Sequence, residues 1–155
     1  MLSETGRGTC AFVGLNPSTA DEDGPDPTVK RCMNYAARWG YGRFVMLNLF
    51  AFRATDPRAM MAEPDPVGED NDRFILARGL EADLVIAAWG NHGLHRGRWK
   101  EVALLIPGLH ALKITRQGQP SHPLYLKGDL MPVRFSPQSI SCAIDVSDGA
   151  TCAGL

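Results

Sequence analysis

Four short apolar runs, separated by segments of helical period, constrain what this chain can fold into more than any other feature. The runs span residues 9–15, 43–50, 82–88 and 108–115. Strands that alternate with helices at this interval indicate β-α-β units, in which the strands are parallel and the helices cover the sheet. We therefore expect an α/β fold, a three-layer α/β/α domain with a short, mostly parallel, four-stranded sheet.

The segments between the runs predict the helices. Helical signals fall at residues 28–39, at Asp56-Pro57, at residues 70–80 and over a weaker stretch that reaches about Leu105. The first of these helices has Thr28 as its expected N-cap and Gly40 as its stop. The run at 43–50 is continuous rather than alternating, which is typical of a strand buried on both faces.

Length and composition indicate one folded domain with an appended tail. A chain of 155 residues matches one ordinary domain. Hydrophobic residues make up 45% and charged residues 21%, close to the globular average, so the chain should build a core. Residues 136–155 are small and polar with no clear period and are interpreted as a tail to a domain at residues 1–135.

Charge, cysteine spacing and hydropathy exclude several classes of protein. The formal charge is -1, so any nucleic-acid binding must come from a local basic patch. The cysteines are scattered without a C-x-x-C pair, which favours free thiols over a disulfide framework or a metal centre. No apolar run reaches the roughly 20 residues that cross a bilayer. We expect a cytoplasmic protein with no metal, no cofactor and no membrane association.

Polar residues collect where the predicted strands end. Asn16 follows the first run, and Asn48 lies near the end of the second. Asn91 follows the third run, and His122 lies in the loop after the fourth. In open α/β sheets, ligands bind outside the carboxyl ends of the strands. We expect these four strand ends to form one polar ligand site.

Several of these residues also have a structural interpretation that needs no ligand. Asn16 suits an Asx turn, and the backbone could satisfy the amide of Asn48, whose burial without a hydrogen bond costs about 1–3 kcal/mol. His92 and His95 are spaced like two metal ligands on one helix face, but no carboxylate or cysteine follows at matching spacing. The acids between residues 21 and 26 are typical of a solvated loop.

Three motifs carry a resemblance to known families. They are Gly14-Leu-Asn-Pro-Ser-Thr-Ala-Asp21, Asn48-Leu-Phe50 and His122-Pro-Leu-Tyr-Leu126. Over roughly residues 8–135, the chain resembles DUF1643, a family of uncharacterised domains. In the same order, the motifs also resemble those of the uracil-DNA glycosylase superfamily, whose first motif is a Gly-x-(Asp/Asn/Glu)-Pro turn and whose last is a His-Pro-Ser-x-Leu loop.

The glycosylase resemblance implies an activity and a role for each site residue. Asn16 falls on the residue that positions the attacking water, and Asn48 on the asparagine that reads the base. His122 falls on the histidine that stabilises charge on the leaving base, and Leu126 on the leucine that wedges into the duplex. The further substrate contacts assigned are Gly14, Pro17, Ser18 and Asn91. The implied protein is a DNA-repair hydrolase that flips a damaged or modified base into a pocket and cleaves its N-glycosidic bond.

Two departures from the glycosylase motifs favour a rival function. Ser18 replaces the usual Gly after the motif proline, and Leu124 replaces the Ser after His-Pro, which removes a hydroxyl that contacts phosphate. The rival is a domain that binds or processes a free nucleobase, nucleoside or nucleotide. A DNA-acting protein needs a continuous basic rim around its pocket, whereas a nucleotide-acting one does not. The basic residues near the predicted strand ends are Arg53, Arg58, Arg96, Arg98, Arg116 and Lys127.

Overall fold

One mixed sheet organises the fold. The computed structural model describes residues 5–19, 24 and 26–136. Within them the strands are β1 (Thr9–Gly14), β2 (Arg43–Asn48), β3 (Leu84–Ala87), β4 (His110–Ala111) and β5 (Val133–Arg134). They lie in the order β2-β1-β3-β4-β5. The first four run parallel, whereas β5 pairs antiparallel with β4.

The helices fill the connections between the strands. The α-helices are α1 (Pro27–Arg38), α2 (Pro57–Ala62), α3 (Asn71–Glu81) and α4 (Arg98–Leu105). Two 3₁₀ segments, Asn91–Gly97 and Pro123–Tyr125, follow β3 and β4. Asp26 and Asp56 cap α1 and α2, since each carboxylate accepts a hydrogen bond from a backbone N–H of the first turn.

Alternate residues of β1 pack into two separate core clusters. Cys10 and Phe12 belong to a cluster that includes Tyr35 of α1. Ala11 and Val13 belong to a larger cluster, to which α2, α3 and α4 contribute. Because successive side chains of a strand point to opposite faces, the two clusters lie on the two faces of the sheet.

The structure confirms the mixed α/β character and corrects the strand count. The sheet of the described residues has five strands, not four, because β5 adds a two-residue antiparallel edge. Such a short strand has no periodicity to detect. β4 is also much shorter than the predicted run at 108–115. β2 lies at an edge of the sheet and is only partly buried, so its continuous apolar run does not mark a strand covered on both faces.

The helix boundaries also differ from the prediction at two places. The N-cap of α1 is Asp26 rather than Thr28, because the Asp26 carboxylate accepts from the Thr28 N–H at 2.7 Å. The weak helix predicted after β3 begins as a 3₁₀ segment and becomes α-helical only at Arg98. Of the predicted tail, residues 137–155 lie outside the described residues, as do residues 21–23 of the acidic loop.

Candidate functional site

A cavity of about 710 Å³ opens at the carboxyl ends of β1, β2 and β3. We call it the strand-end cavity. Its described lining residues are Gly14, Leu15, Asn16, Pro17, Ser18, Gly24, Asp26, Thr28, Val29, Met46, Asn48, Arg53, Ala54, Thr55, Pro57, Trp89, Gly90, Asn91, His92 and His122. Its volume falls within the range of small-molecule sites, and its position is the one expected for a ligand of a parallel sheet.

The strand-end cavity brings together all but one of the predicted site residues. Seven of them line it: Gly14, Asn16, Pro17, Ser18, Asn48, Asn91 and His122. Leu126 is not among the described lining residues and packs against the core cluster around Tyr35. A wedge role would require Leu126 to leave that packing.

Asn16 is tied to the loop that follows β2. Its amide nitrogen lies within hydrogen-bonding distance of three backbone carbonyls, at 2.8 Å from Ala54, 3.3 Å from Phe52 and 3.2 Å from Pro17. The amide N–H groups therefore stabilise one wall of the cavity. Its Oδ1 accepts no hydrogen bond from the described part of the chain, so only the acceptor side of this amide remains for a ligand or a water.

The side chain of Asn48, in contrast to that of Asn16, is available to a ligand. No described residue donates to its amide oxygen or accepts from its amide nitrogen, although its backbone carbonyl accepts from Asn71 at 3.1 Å. Gly14 lies opposite it in the parallel register. A Cβ at Gly14 would come within 3.0 Å of the Asn48 Oδ1. The glycine thus makes space for an amide that offers a donor and an acceptor to a ligand.

His122 lies on the cavity wall contributed by the loop after β4. Its Nδ1 accepts from the backbone N–H of Leu124 at 3.4 Å, which places the proton of the neutral ring on Nε2. Burial lowers the pKa of His122, and the nearby Asp26 carboxylate opposes that shift in part. The ring is therefore neutral at physiological pH and has an Nε2–H donor available.

Asn91 and the histidines of the first 3₁₀ segment complete this side of the site. The Oδ1 of Asn91 accepts from the Thr115 hydroxyl at 2.7 Å, which leaves the amide N–H groups available to a ligand. His95 does not pair with His92, because it packs against the Phe50 ring at a centroid distance of 5.7 Å. The described residues contain no cluster of three or more side chains suited to a metal ion.

Trp89 and Asp26 are among the lining residues that the sequence did not assign to the site. Trp89 is 1% exposed, and its Nε1 donates to Gln119 at 2.8 Å. Asp26 is the one carboxylate among the described lining residues. Trp89 directly follows the third apolar run, so its place at a strand end could have marked it. Asp26 precedes Pro27, the same Asp-Pro pair that marks the start of α2 at Asp56-Pro57, so its capping role had a local signal, but its place in the cavity had none.

Helix α1 holds the loop that carries His122. Arg31 and Tyr35 donate to the backbone carbonyls of Leu126 and Lys127. One turn further along, the Nε1 of Trp39 donates to the Leu130 carbonyl at 3.1 Å. These contacts fix the backbone directly after the His122 segment and explain why the Leu126 side chain faces the core.

The basic residues near the strand ends do not form a continuous rim in the described lining. Arg53 is their one member that lines the cavity, and its guanidinium donates to the Ser18 carbonyl at 3.1 Å. Arg58 pairs with Asp56 in solvent. Arg96 donates to the backbone carbonyls of residues 63 and 64.

Arg98 is not a surface residue at all. Its side chain is 1% exposed, and its Nε donates to the Leu49 carbonyl at 2.8 Å. Its Nη2 lies 2.6 Å from the Asp72 carboxylate, an ionic contact whose angle does not make it a hydrogen bond. Although Arg98 is one of the basic residues near the predicted strand ends, it is not available to a phosphate, because its guanidinium is buried between α3 and the end of β2.

A second cavity, of about 640 Å³, lies near the opposite end of β1 and β2. Its charged groups include Arg78 and Glu81, which already pair with each other at 3.2 Å. No predicted site residue lines it. The strand-end cavity is therefore the better candidate for a functional site.

Comparison with known proteins gives one match. A family model described as a protein of unknown function, DUF1643, matches residues 2–124. No curated protein and no solved structure matches the chain. Among the described residues, no helix combines the length and apolar character that a membrane span needs.

Proposed function

The chain belongs to the DUF1643 family, and we propose that it uses the strand-end cavity to bind a single nucleobase and to hydrolyse the N-glycosidic bond of a damaged or modified base in DNA. The proposal includes a distant kinship with the uracil-DNA glycosylase superfamily. It includes a three-layer arrangement as well, and the two core clusters on the two faces of the sheet support that arrangement. It also includes a reducing cytoplasmic location, in keeping with the free, buried thiols of Cys10 and Cys32.

The observation that carries the proposal is the side-chain amide of Asn48, which forms no hydrogen bond with any described residue and lines the strand-end cavity. Its amide atoms are not among the buried side-chain atoms that lack a partner in the described residues, so they face the solvent of the cavity and are open to a ligand. A nucleobase edge presents adjacent donors and acceptors, which match the donor and the acceptor of one carboxamide. Asn48 lines the same cavity as His122 and Asn16, whose Nε2–H and Oδ1 form no hydrogen bond with the described residues.

These three groups suit the steps of glycosidic hydrolysis. Asn48 reads the base, and the Asn16 Oδ1 orients a water molecule toward the sugar. As the C1′–N bond breaks, its electron pair moves to the base nitrogen, and the sugar develops oxocarbenium character. The Nε2–H of His122 then donates to the base as negative charge grows there, and such a donor contributes about 3–4 kcal/mol to transition-state stabilisation.

A second candidate is hydrolysis or binding of a free nucleoside or nucleotide. The charge of the cavity favours it, since the described lining contains Arg53 as its one arginine and Asp26 as its one acid. A duplex site needs several basic contacts to phosphates. A free nucleoside needs none, and a nucleotide needs one or two.

One experiment separates the two candidates. Oligonucleotides carrying uracil, hypoxanthine, hydroxymethyluracil or a mismatched thymine are incubated with protein in excess and then treated with hot alkali, which cleaves the strand at any abasic site that has formed. The matching free nucleosides and nucleotides are assayed for released base. Asn48→Ala tests the site, and Asn34→Ala, an exposed residue of α1 outside the strand-end cavity, is the matched control.

The outcomes are distinct. Strand cleavage that is lost in Asn48→Ala and kept in Asn34→Ala supports the DNA glycosylase. Base release from nucleosides or nucleotides alone supports the second candidate. No release from any substrate overturns the proposed hydrolysis.

A further inference from the structure

Hydrolysis at this site needs a group that accepts the proton of the attacking water, and Asn16 lacks that ability. A neutral carboxamide has no basic site near neutral pH, so it orients water without deprotonating it. The amide N–H groups of Asn16 are also committed to the carbonyls of the loop after β2. The proton acceptor must therefore be a different residue.

Besides His122, two described lining residues can accept a proton, Asp26 and His92; His92 is exposed, so we select the partly buried Asp26. It is the one carboxylate in that set, and it stands at the N-terminus of α1 with its side chain partly buried. Its Oδ1 caps the helix by accepting from the Thr28 N–H at 2.7 Å. No described residue donates to its Oδ2, so one carboxylate oxygen remains available while the other holds the helix.

Asp26 also shares its surroundings with His122. The two residues line the same cavity, and the carboxylate is close enough to act electrostatically on the imidazole. A nucleobase bound between Asn48 and His122 would therefore place its sugar near an anionic group. Such a group stabilises the positive charge that develops on the sugar as the bond breaks.

We propose that Asp26 is the general base of the strand-end cavity, and that its Oδ2 takes a proton from the water held by the Asn16 Oδ1. This inference rests on the proposed function. The water oxygen bonds to C1′ as the C1′–N bond breaks, and the pair of electrons leaves with the base. The proton on Asp26 then passes to the departing base or to solvent, so that the products are a free base and a sugar with a hydroxyl at C1′.

The structure allows the capping role and the catalytic role of Asp26 to be separated. Asn and Ser cap helices as well as Asp, but neither accepts a proton near neutral pH. Asp26→Asn and Asp26→Ser should therefore keep the thermal midpoint and the affinity for the product base. Both should slow single-turnover cleavage by at least about 100-fold, the usual contribution of a general base.

Three controls narrow the interpretation. Asp56→Asn changes the equivalent capping carboxylate of α2, which is not among the described lining residues, and should leave the rate unchanged. Sodium formate supplies an external carboxylate, so it should restore part of the activity of Asp26→Ala and none of the activity of His122→Ala. The combined variant Asp21→Asn, Glu22→Gln, Asp23→Asn tests the other acids of the loop.

The assay uses whichever substrate the wild-type protein cleaves fastest in the panel above. Wild-type rates in both capping variants, or a 100-fold loss in the triple variant instead, would overturn the role of Asp26 and leave the proposed function intact. If Asp26→Asn fails to fold, Asp26→Ser and the formate rescue of Asp26→Ala decide. No cleavage by the wild-type protein would overturn the proposed function and this inference together.

Discussion

Two asparagines at neighbouring strand ends have opposite environments. Asn16 bonds to three backbone carbonyls, whereas the Asn48 side chain has no described partner. The first amide therefore contributes to stability, and the second is available to a ligand. One asparagine therefore stabilises the wall of the cavity, and the other is available to a molecule that binds in it.

This contrast predicts different effects of the two alanine variants. Asn16→Ala leaves backbone carbonyls without partners and should lower the free energy of unfolding by about 1–3 kcal/mol. Asn48→Ala should change it by less than about 0.5 kcal/mol, because no described hydrogen bond is lost. Urea denaturation of both variants measures the difference. Equal destabilisation would contradict the assignment of Asn48 as the unpaired residue.

His122 should make the stability of the protein depend on pH. Because burial lowers its pKa in the folded state, both states are neutral above its usual pKa of about 6.5 and the full stability is present there. Below that pH, the unfolded chain binds a proton that the folded ring resists, so stability falls until the pH passes the folded pKa. The burial of His95 lowers the pKa of that ring too and adds to the same trend.

The variant His122→Asn tests this contribution. Asn keeps a side-chain acceptor for the Leu124 N–H but does not titrate. Denaturation midpoints measured between pH 7 and pH 5 should fall less steeply in the variant than in the wild type, with the remaining slope owed in part to His95. Identical slopes would show that His122 is not held neutral by burial.

At the scale of elements, the segment after β3 forms a packed wall rather than a flexible loop. Trp89 lies two residues after β3, and its Nε1 donates to Gln119, which is itself fully buried. Gly93 lies against the indole, where a Cβ would come within 2.0 Å of the Trp89 Cδ1. The glycine is required by this contact, and the indole position in turn shapes the strand-end cavity.

Gly93→Ala should therefore displace Trp89. We expect the overpacking to lower the free energy of unfolding by about 1–3 kcal/mol and to weaken ligand binding. Gly128→Ala is a suitable control, since a Cβ there meets only the end of Arg31 at 3.9 Å. Chemical denaturation and tryptophan fluorescence report both changes. If Gly93→Ala left the free energy of unfolding unchanged, Trp89 would move aside without cost, and the segment after β3 would not be a packed wall.

At the scale of the whole molecule, charge limits the kind of nucleic acid that the chain can hold. The formal charge is -1, and Arg53 is the one arginine among the described lining residues. Each phosphate contact steepens the fall of affinity with salt, by about 0.9 in the slope of log K against log salt concentration for duplex DNA. Few contacts therefore mean a shallow slope.

Fluorescence anisotropy with a labelled oligonucleotide, between about 50 and 200 mM salt, measures this slope. We expect a magnitude of about 1 to 2, and we expect Arg53→Ala to reduce it by about 1. Arg58→Ala, which removes a side chain already paired with Asp56, should leave it nearly unchanged. A slope steeper than about 4 would contradict the expectation of few phosphate contacts and would mean that further basic residues contact the DNA.

The sequence determined the features that depend on neighbouring residues. The helical period of apolar residues marked α1 and α3, continuous apolar runs marked three parallel strands, and turn chemistry marked the strand ends at Asn16 and Asn91. Because parallel strands share one edge for their carboxyl ends, these local signals were also sufficient to predict a common polar site. Membership of the DUF1643 family follows from the sequence as well.

Only the tertiary structure decided what distant residues do to one another. Asn16 is tied to carbonyls more than 35 positions away, and Arg98 is buried because its Nε donates to the Leu49 carbonyl, 49 positions away. Leu126 faces the core because α1 binds the backbone of its loop across 95 positions. Hydrogen bonds and burial of this kind form only when distant segments meet in the folded chain. No local pattern therefore encodes which polar side chains they pair, and which, like those of Asn48 and Asp26, keep a group that is available to a ligand.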